Sequence, residues 1–215
     1  MDTSNDTVRK LFNSVFPSVV GVVVAHPMLT LKINRQVVGG KPKSLYSGMG
    51  WYLAKSVPGN SISFMLLQTD YIQSLPPWAQ GAVSKFTGEA ILYPFSLWAT
   101  KQQVGLKRSG YLRGLVHTLG RDLVFWSIFT QIHRGWLGDG DQALPYADKI
   151  PLPVRLMIAA SAATIATQPL DWYKVHAQLG MKMNGLGSGL LWRLAYANVR
   201  SVFAWGLFEM LISRS

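Results

Sequence analysis

The chain has no cysteine and few acids. Without thiols it can form neither a disulfide nor a Cys-ligated zinc site. Asp and Glu number 10 against 21 Lys and Arg, a formal net charge of +11, yet all charged residues together make only 14% of the chain. Such a basic excess raises nucleic-acid binding as one reading. The cations, however, are spread among apolar stretches and not gathered into runs, so no nucleic-acid partner is expected. Strand signals are nearly missing, with no sustained period-2 alternation between turn dipeptides. Long uncharged runs are scarce as well. The longest is Leu11 to Leu31, enough for one membrane crossing, and other apolar windows are broken by single charges such as Glu89 and Asp122.

Enzyme motifs are lacking too. There is no G-x-S-x-G and no paired-histidine zinc motif, and the histidines at 26, 117, 133 and 176 have no ligand-like spacing. They read as polar residues at helix ends. GLGSG at 185–189 would be a phosphate loop only after a strand, and a helix is expected before it. DGD at 139–141 has too few carboxylates for a calcium loop. No catalytic residue, metal site or cofactor is therefore expected.

What the chain does contain is recurrence. QPLDWYKVHAQLG places Asp171 at +2, Lys174 at +5 and Gln178 at +9 from Pro169. HPMLTLKINRQVVG repeats the frame with Pro27, Lys32 and Gln36, and YPFSLWATKQQVG with Pro94, Ala99 and Gln103. A second landmark follows each proline: Tyr46-Ser47-Gly48, Leu112-Arg113-Gly114 and Leu191-Trp192-Arg193, the last with Arg in place of Gly. Seven residues beyond each stands a cation, Lys55, Arg121 or Arg200. An aromatic then follows in each copy: Phe64, Phe129 and Phe208. These coincidences in three copies read as an internal repeat, over about 6–72, 78–136 and 153–215 of a single domain.

Charge follows the same frame. The windows 32–55, 101–121 and 174–200 hold 14 of the 21 Lys and Arg and none of the 10 Asp and Glu. The N-terminus and the other connections carry Asp2, Asp6, Asp70, Asp139, Asp141 and Asp148. Alternating basic and acidic connections suit a chain threaded six times through a membrane, with the basic loops on one side. The expected helical segments are 6–35, 44–71, 78–103, 111–134, 154–178 and 190–214, with helix kinks at Pro27, Pro94 and Pro169. The small residues of AASAAT in the fifth would let helix backbones approach closely. The fold class read here is all-α, a six-transmembrane-helix bundle with approximate threefold symmetry.

On these motifs the sequence resembles the mitochondrial carriers, inner-membrane solute exchangers built from three two-helix repeats. Their repeat carries Pro-x-[Asp/Glu]-x-x-[Lys/Arg], an aromatic-x-Gly, a basic residue at +7 and often a proline at +10, where Pro58 stands in the first copy. The resemblance spans nearly the whole chain but is degenerate, and only the third copy keeps the full first motif. It implies a matrix-side gate of ion pairs joining the +2 residue of one repeat to the +5 residue of the next. Here that gives Asp171 with Lys32, Ser96 facing Lys174, and an apolar Leu29–Ala99 contact. The opposite gate would fall at Phe64–Gln68, Phe129–His133 and Phe208–Ile212, where only Glu209 keeps a charge, with no evident partner. The interval between the two motifs is shorter than in carriers, so the small matrix-side surface helix is expected to be reduced or gone. The N-terminus lacks an Arg-rich amphipathic start, and a cleaved transit peptide is not expected.

Lys55, Arg121 and Arg200 have two readings: an anion-attracting cavity, or cations near the basic face that snorkel to lipid phosphates. With both gates degraded, the leading expectation is a carrier-derived, non-transporting accessory subunit of an inner-membrane complex, such as a respiratory or ATP-synthase assembly. Its partners would be other subunits and membrane lipid, including a bound phospholipid such as cardiolipin. The alternative is a divergent working carrier for a small anion.

Overall fold

The computed structural model describes residues 3–38, 44–106, 112–138 and 142–213, and among these the regular structure is helical. The outer ends of the expected fourth and sixth segments, Tyr111 and Arg214, lie outside the described residues, as does DGD at 139–141.

The chain runs α1 (Thr3–Gln36), α2 (Met49–Leu66), the short α3 (Asp70–Gln73), α4 (Pro77–Gln103), α5 (Leu115–Thr130), α6 (Leu152–Ala166), α7 (Gln168–Leu179), α8 (Leu190–Arg200) and α9 (Leu207–Ile212). A π-helical turn, Gln131–Trp136, continues α5, and another, Ser201–Gly206, joins α8 to α9. Across the α6–α7 junction Thr167 N–H still donates to Ala163 O and Asp171 N–H to Thr167 O. The long helices pack in chain order, α1 on α2, α2 on α4, α4 on α5, α5 on α6 and α6 on α8. Because α8 returns to α1, they close a ring. A single antiparallel bridge, Val37 to Met183, latches the end of α1 to the segment before α8.

At two of the three prolines where kinks are expected the helix is not broken. Pro27 and Pro94 sit inside α1 and α4, which continue through them, as α1 does through Pro17. Proline removes one i→i−4 bond. The turns on either side are held by burial of Ala25, His26 and Leu29 in α1, and of Tyr93 and Leu97 in α4. Only near Pro169 is the helix interrupted, two residues earlier, where Thr167 sits at φ −97°, ψ 8°.

The third copy of the glycine landmark also needs correction. The residue that opens the last long helix is Gly189, 20 residues after Pro169, and not Arg193. Gly48, Gly114 and Gly189 precede α2, α5 and α8 at φ 80°, 80° and 81°, the left-handed region that glycine enters without a Cβ penalty. Each also lies against a different helix. A Cβ would stand 2.7 Å from Ala99 O at Gly48, 2.9 Å from Gln178 Cγ at Gly114 and 2.8 Å from Lys32 O at Gly189. These glycines let the start of one helix nest against the end of another. No helix lies between α1 and α2 among the described residues there, consistent with the short interval.

The radial distribution of side chains is inverted relative to a water-soluble bundle. Val19, Val23, Phe86, Ile91, Ile158 and Ile165 face outward, whereas Ser14, Ser18, Thr30, Lys32, Lys85 and Asp171 are buried. Small residues bring the helices together: Ala159, Ala160 and Ala163 are fully buried, and Gly21 packs on Ala204. Among the described residues one helix, Leu11–Gln36, is long and apolar enough to cross a membrane by length and composition.

If the Gly189 cap supports this packing, Gly189→Ala should cost at least the roughly 1–2 kcal/mol of a left-handed L-residue plus the clash with Lys32 O. Gly187, with open space around it, should accept alanine almost neutrally. Thermal unfolding of the two purified variants compares them directly, and equal melting temperatures would remove the argument.

Candidate functional site

The ring of helices encloses a cavity of about 90 Å³, room for several water molecules or a small ligand. Two buried layers bound it. Toward the C-terminal ends of α2 and α5 and the start of α9, Phe64 stacks on Phe208 at 4.1 Å, and Trp205 meets Phe64 and Phe129 edge-on at 5.5 and 5.1 Å. At the other end Leu29 of α1, Ala99 of α4 and Val175 of α7 share an apolar cluster.

Between these layers the lining is charged. Lys32, Lys55 and Lys85, with Arg121, Lys174, Arg193 and Arg200, face Glu89, Asp122 and Asp171. Among the described residues the lining thus sets seven cations against three carboxylates, a formal excess of four positive charges.

Asp171 is the hub of one pole. Its carboxylate lies 2.6 Å from Lys32 Nζ, 3.7 Å from Arg193 Nε and 4.0 Å from Arg121 Nη1, and it accepts a hydrogen bond from Gln36 Nε2 at 3.0 Å. It is fully buried because the α6–α7 junction turns it inward, and Arg193 braces that junction. Arg193 Nη1 donates to Thr164 O at 2.9 Å and Gln168 Oε1 at 3.0 Å, and Nη2 to Thr167 Oγ1 at 2.6 Å. Arg121 is neutralised by its neighbour Asp122 at 2.6 Å.

At the second pole Lys55 pairs with Glu89 at 2.5 Å. Lys85 lies one helical turn before Glu89 and finds no carboxylate within 4 Å among the described residues. Its ammonium donates to Asn60 Oδ1 at 2.5 Å and sits 4.6 Å from the Trp126 ring and 5.5 Å from that of Phe64. Arg200 donates to the same Asn60 oxygen at 3.2 Å, to Tyr196 Oη at 2.8 Å and to Tyr52 Oη at 3.2 Å. The two tyrosine hydroxyls are in contact.

The sequence-derived residues thus meet in one place, with some differences. Lys55, Arg121 and Arg200 all line the cavity. The snorkelling reading fails for them, because their partners lie inside the ring. Seven residues after Gly189 stands Tyr196, and Arg200 is one turn further on, beside it. Leu29 and Ala99 share the apolar cluster, and Lys32 meets Asp171. Ser96 and Lys174 both line the cavity, but no hydrogen bond joins them among the described residues. Glu209 does have partners, contrary to expectation: His133 Nε2 and Trp205 Nε1 both lie 2.8 Å from its Oε1. His26 is no helix-end residue. It is buried within α1 and donates from Nε2 to Ser47 O at 3.1 Å.

Sequence reasoning passed over Asn60 and Lys85 and read Glu89 only as a break in an apolar window. The available signal was the i, i+4 spacing of Lys85 and Glu89, which places both on one face of α4. Among the described residues no group of three or more metal-ligating side chains could hold a metal ion.

No protein-family model matches the chain, and no curated protein matches it. The chemistry of the cavity therefore rests on its geometry. An interior with excess cations, amide donors and aromatic walls can solvate an anion.

Because Asp171 offsets three cations, Asp171→Asn should destabilise the protein by about 3–5 kcal/mol, the scale of breaking a buried pair by removing one partner. Lys32→Met should cost less, since Arg193 and Arg121 still face Asp171. Melting temperatures of the two variants test the order, and a reversed order would show that Asp171 is not the shared counter-charge.

Proposed function

We propose that the chain is a membrane-embedded helical bundle of the mitochondrial-carrier kind, in the inner membrane, whose central cavity binds a small anion. The observation that carries this is the imbalance of seven cations against three carboxylates inside the ring. Stranding positive charge in a protein interior is costly unless it is paired. A bundle that served only as scaffold would gain nothing from it, whereas a site for a negatively charged solute needs it.

The membrane reading rests on the inverted side-chain distribution. Single apolar residues at a surface are ordinary, but an outward apolar face on successive helices with charges facing inward suits lipid outside and a polar interior. Inward charges also account for the modest hydropathy of the other long helices: α4 carries Lys85 and Glu89, and α5 carries Arg121 and Asp122, all lining the cavity. Hydropathy averaged along a helix loses the distinction between its two faces. The carrier reading draws support from the three glycine-capped helices, each nested on the end of a helix from another copy, and from Lys32 meeting Asp171 across the ring. Six spans with threefold symmetry belong to this proposal.

A second reading keeps the bundle but drops transport: an accessory subunit of a larger inner-membrane assembly. The shared apolar cluster that holds Leu29 and Ala99 favours it. In an exchanger the two states differ by a few kcal/mol at most, and an apolar third of the closing layer together with one surviving ion pair would bias the bundle toward one packing.

Reconstitution in liposomes separates the two. The first reading expects saturable anion uptake that is lost in Arg121→Ala and in Arg200→Ala. Absence of uptake, with the native protein migrating as part of a large complex on a native gel, would favour the accessory subunit.

A further inference from the structure

Within the proposed anion cavity, the pole around Asn60 has an arrangement that a closed, unliganded interior does not explain. Lys85 on α4 and Arg200 on α8 converge from opposite sides on one neutral acceptor, Asn60 Oδ1 on α2. Two like charges are thus held together by an amide dipole. The nearest carboxylate, Glu89, is engaged by Lys55 at 2.5 Å. Counting those four side chains, this pole keeps two uncompensated positive charges. Its walls are aromatic: Lys85 lies against the Trp126 and Phe64 rings, and Arg200 against the Tyr52 and Tyr196 hydroxyls. Lys85 and Asn60 are buried, at 3% and 5% exposure, so bulk water does little to screen them.

We infer that Asn60, Lys85 and Arg200 form a subsite for a small doubly charged oxyanion. One of its oxygens would sit between Lys85 Nζ and Arg200 Nη2, where the Asn60 amide oxygen now serves as a partial substitute. This rests on the anion-binding reading of the cavity and adds to it the position and charge of the ligand. Two negative charges match the local excess, and charge-assisted hydrogen bonds to an ammonium and a guanidinium are about twice as strong as neutral ones. Chloride or a monocarboxylate would leave one cation unmatched. A tetrahedral phosphate or sulfate and a short dicarboxylate share the required chemistry, and separate titrations distinguish them.

Asn60 supplies the test. Asn60→Asp places a fixed carboxylate at the meeting point of the two cations, nearly isosteric with the amide it replaces. The variant should therefore melt higher than the unaltered chain when no anion is added, and should lose its response to dianions. The full-length protein, purified in detergent, is titrated with inorganic phosphate, sulfate or succinate, with chloride at matched ionic strength as reference. At least one dianion should raise the melting temperature of the unaltered protein where chloride does not. Lys85→Met should weaken that dianion at least tenfold, and Lys85→Arg should restore most of the affinity. An Asn60→Asp variant that is destabilised, or that binds the dianion like the unaltered chain, overturns the subsite. Dianion binding that survives Asn60→Asp and Lys85→Met but is lost in Arg121→Ala moves the ligand to the Asp171 pole. That outcome removes the subsite and leaves the anion cavity standing. No dianion response in the unaltered protein removes both.

Discussion

The interior of this protein depends on one carboxylate. Asp171 is the point at which Lys32, Arg193 and Arg121 converge, from α1, α8 and α5. Without it Lys32 and Arg193 would each be a costly lone charge, and the three cations together would drive the helices apart. A single anion at their centre turns repulsion into a tie across the ring. The tie has a local support, since Arg193 holds the carbonyl and side-chain oxygens at the α6–α7 junction that Pro169 helps to create. The helix break and the charge hub are therefore parts of one device. The break turns Asp171 inward, and the arginine that neutralises it also satisfies the polar groups the break exposes.

Away from that pole the packing relies on close backbone approach. Left-handed glycines at 48, 114 and 189 remove the Cβ that would otherwise collide with the end of a neighbouring helix. Alanines 159, 160 and 163 do the same along α6. Contacts of this kind rely on dispersion and shape, and they work where lipid offers no hydrophobic driving force between helices. On the proposed reading, that is why small residues recur at the seams while large apolar ones are left on the outside.

The two bounding layers differ in character. Around Leu29, Ala99 and Val175 closure is by apolar packing, and beside it the Lys32–Asp171 pair is ionic. At the opposite end closure is aromatic, through Phe64, Phe129, Trp205 and Phe208, with Glu209 held by His133 and Trp205. Packed aromatic and aliphatic layers tend to be bistable and not continuously deformable. Whether the bundle alternates or rests in one state is thus a question of how much a ligand's charge in the cavity weighs against that packing.

The sequence by itself determined the helices. Their approximate extent and order were legible because helix formation is local, but not their number: α3 was not foreseen, and the fifth and sixth segments are divided at Thr167 and at Ser201–Gly206. The recurrence of prolines, glutamines and glycines also disclosed that Lys32 and Asp171 occupy corresponding frames. What it could not disclose was which side chain answers which. Gly189 was mistaken for an absence because a landmark matched by spacing tolerates a slip of one turn, whereas a backbone φ of 81° does not. Glu209 looked solitary because His133 is 76 residues away. Asn60, Lys85 and Arg200 carry no mutual signal along the chain, since 25 and 140 residues separate the amide from its two cations. Only closure of the ring brings them together. Helical periodicity fixes the face on which a residue stands, but the residue it meets there depends on the rotation and depth of the neighbouring helix, and those follow from the packing of the whole bundle.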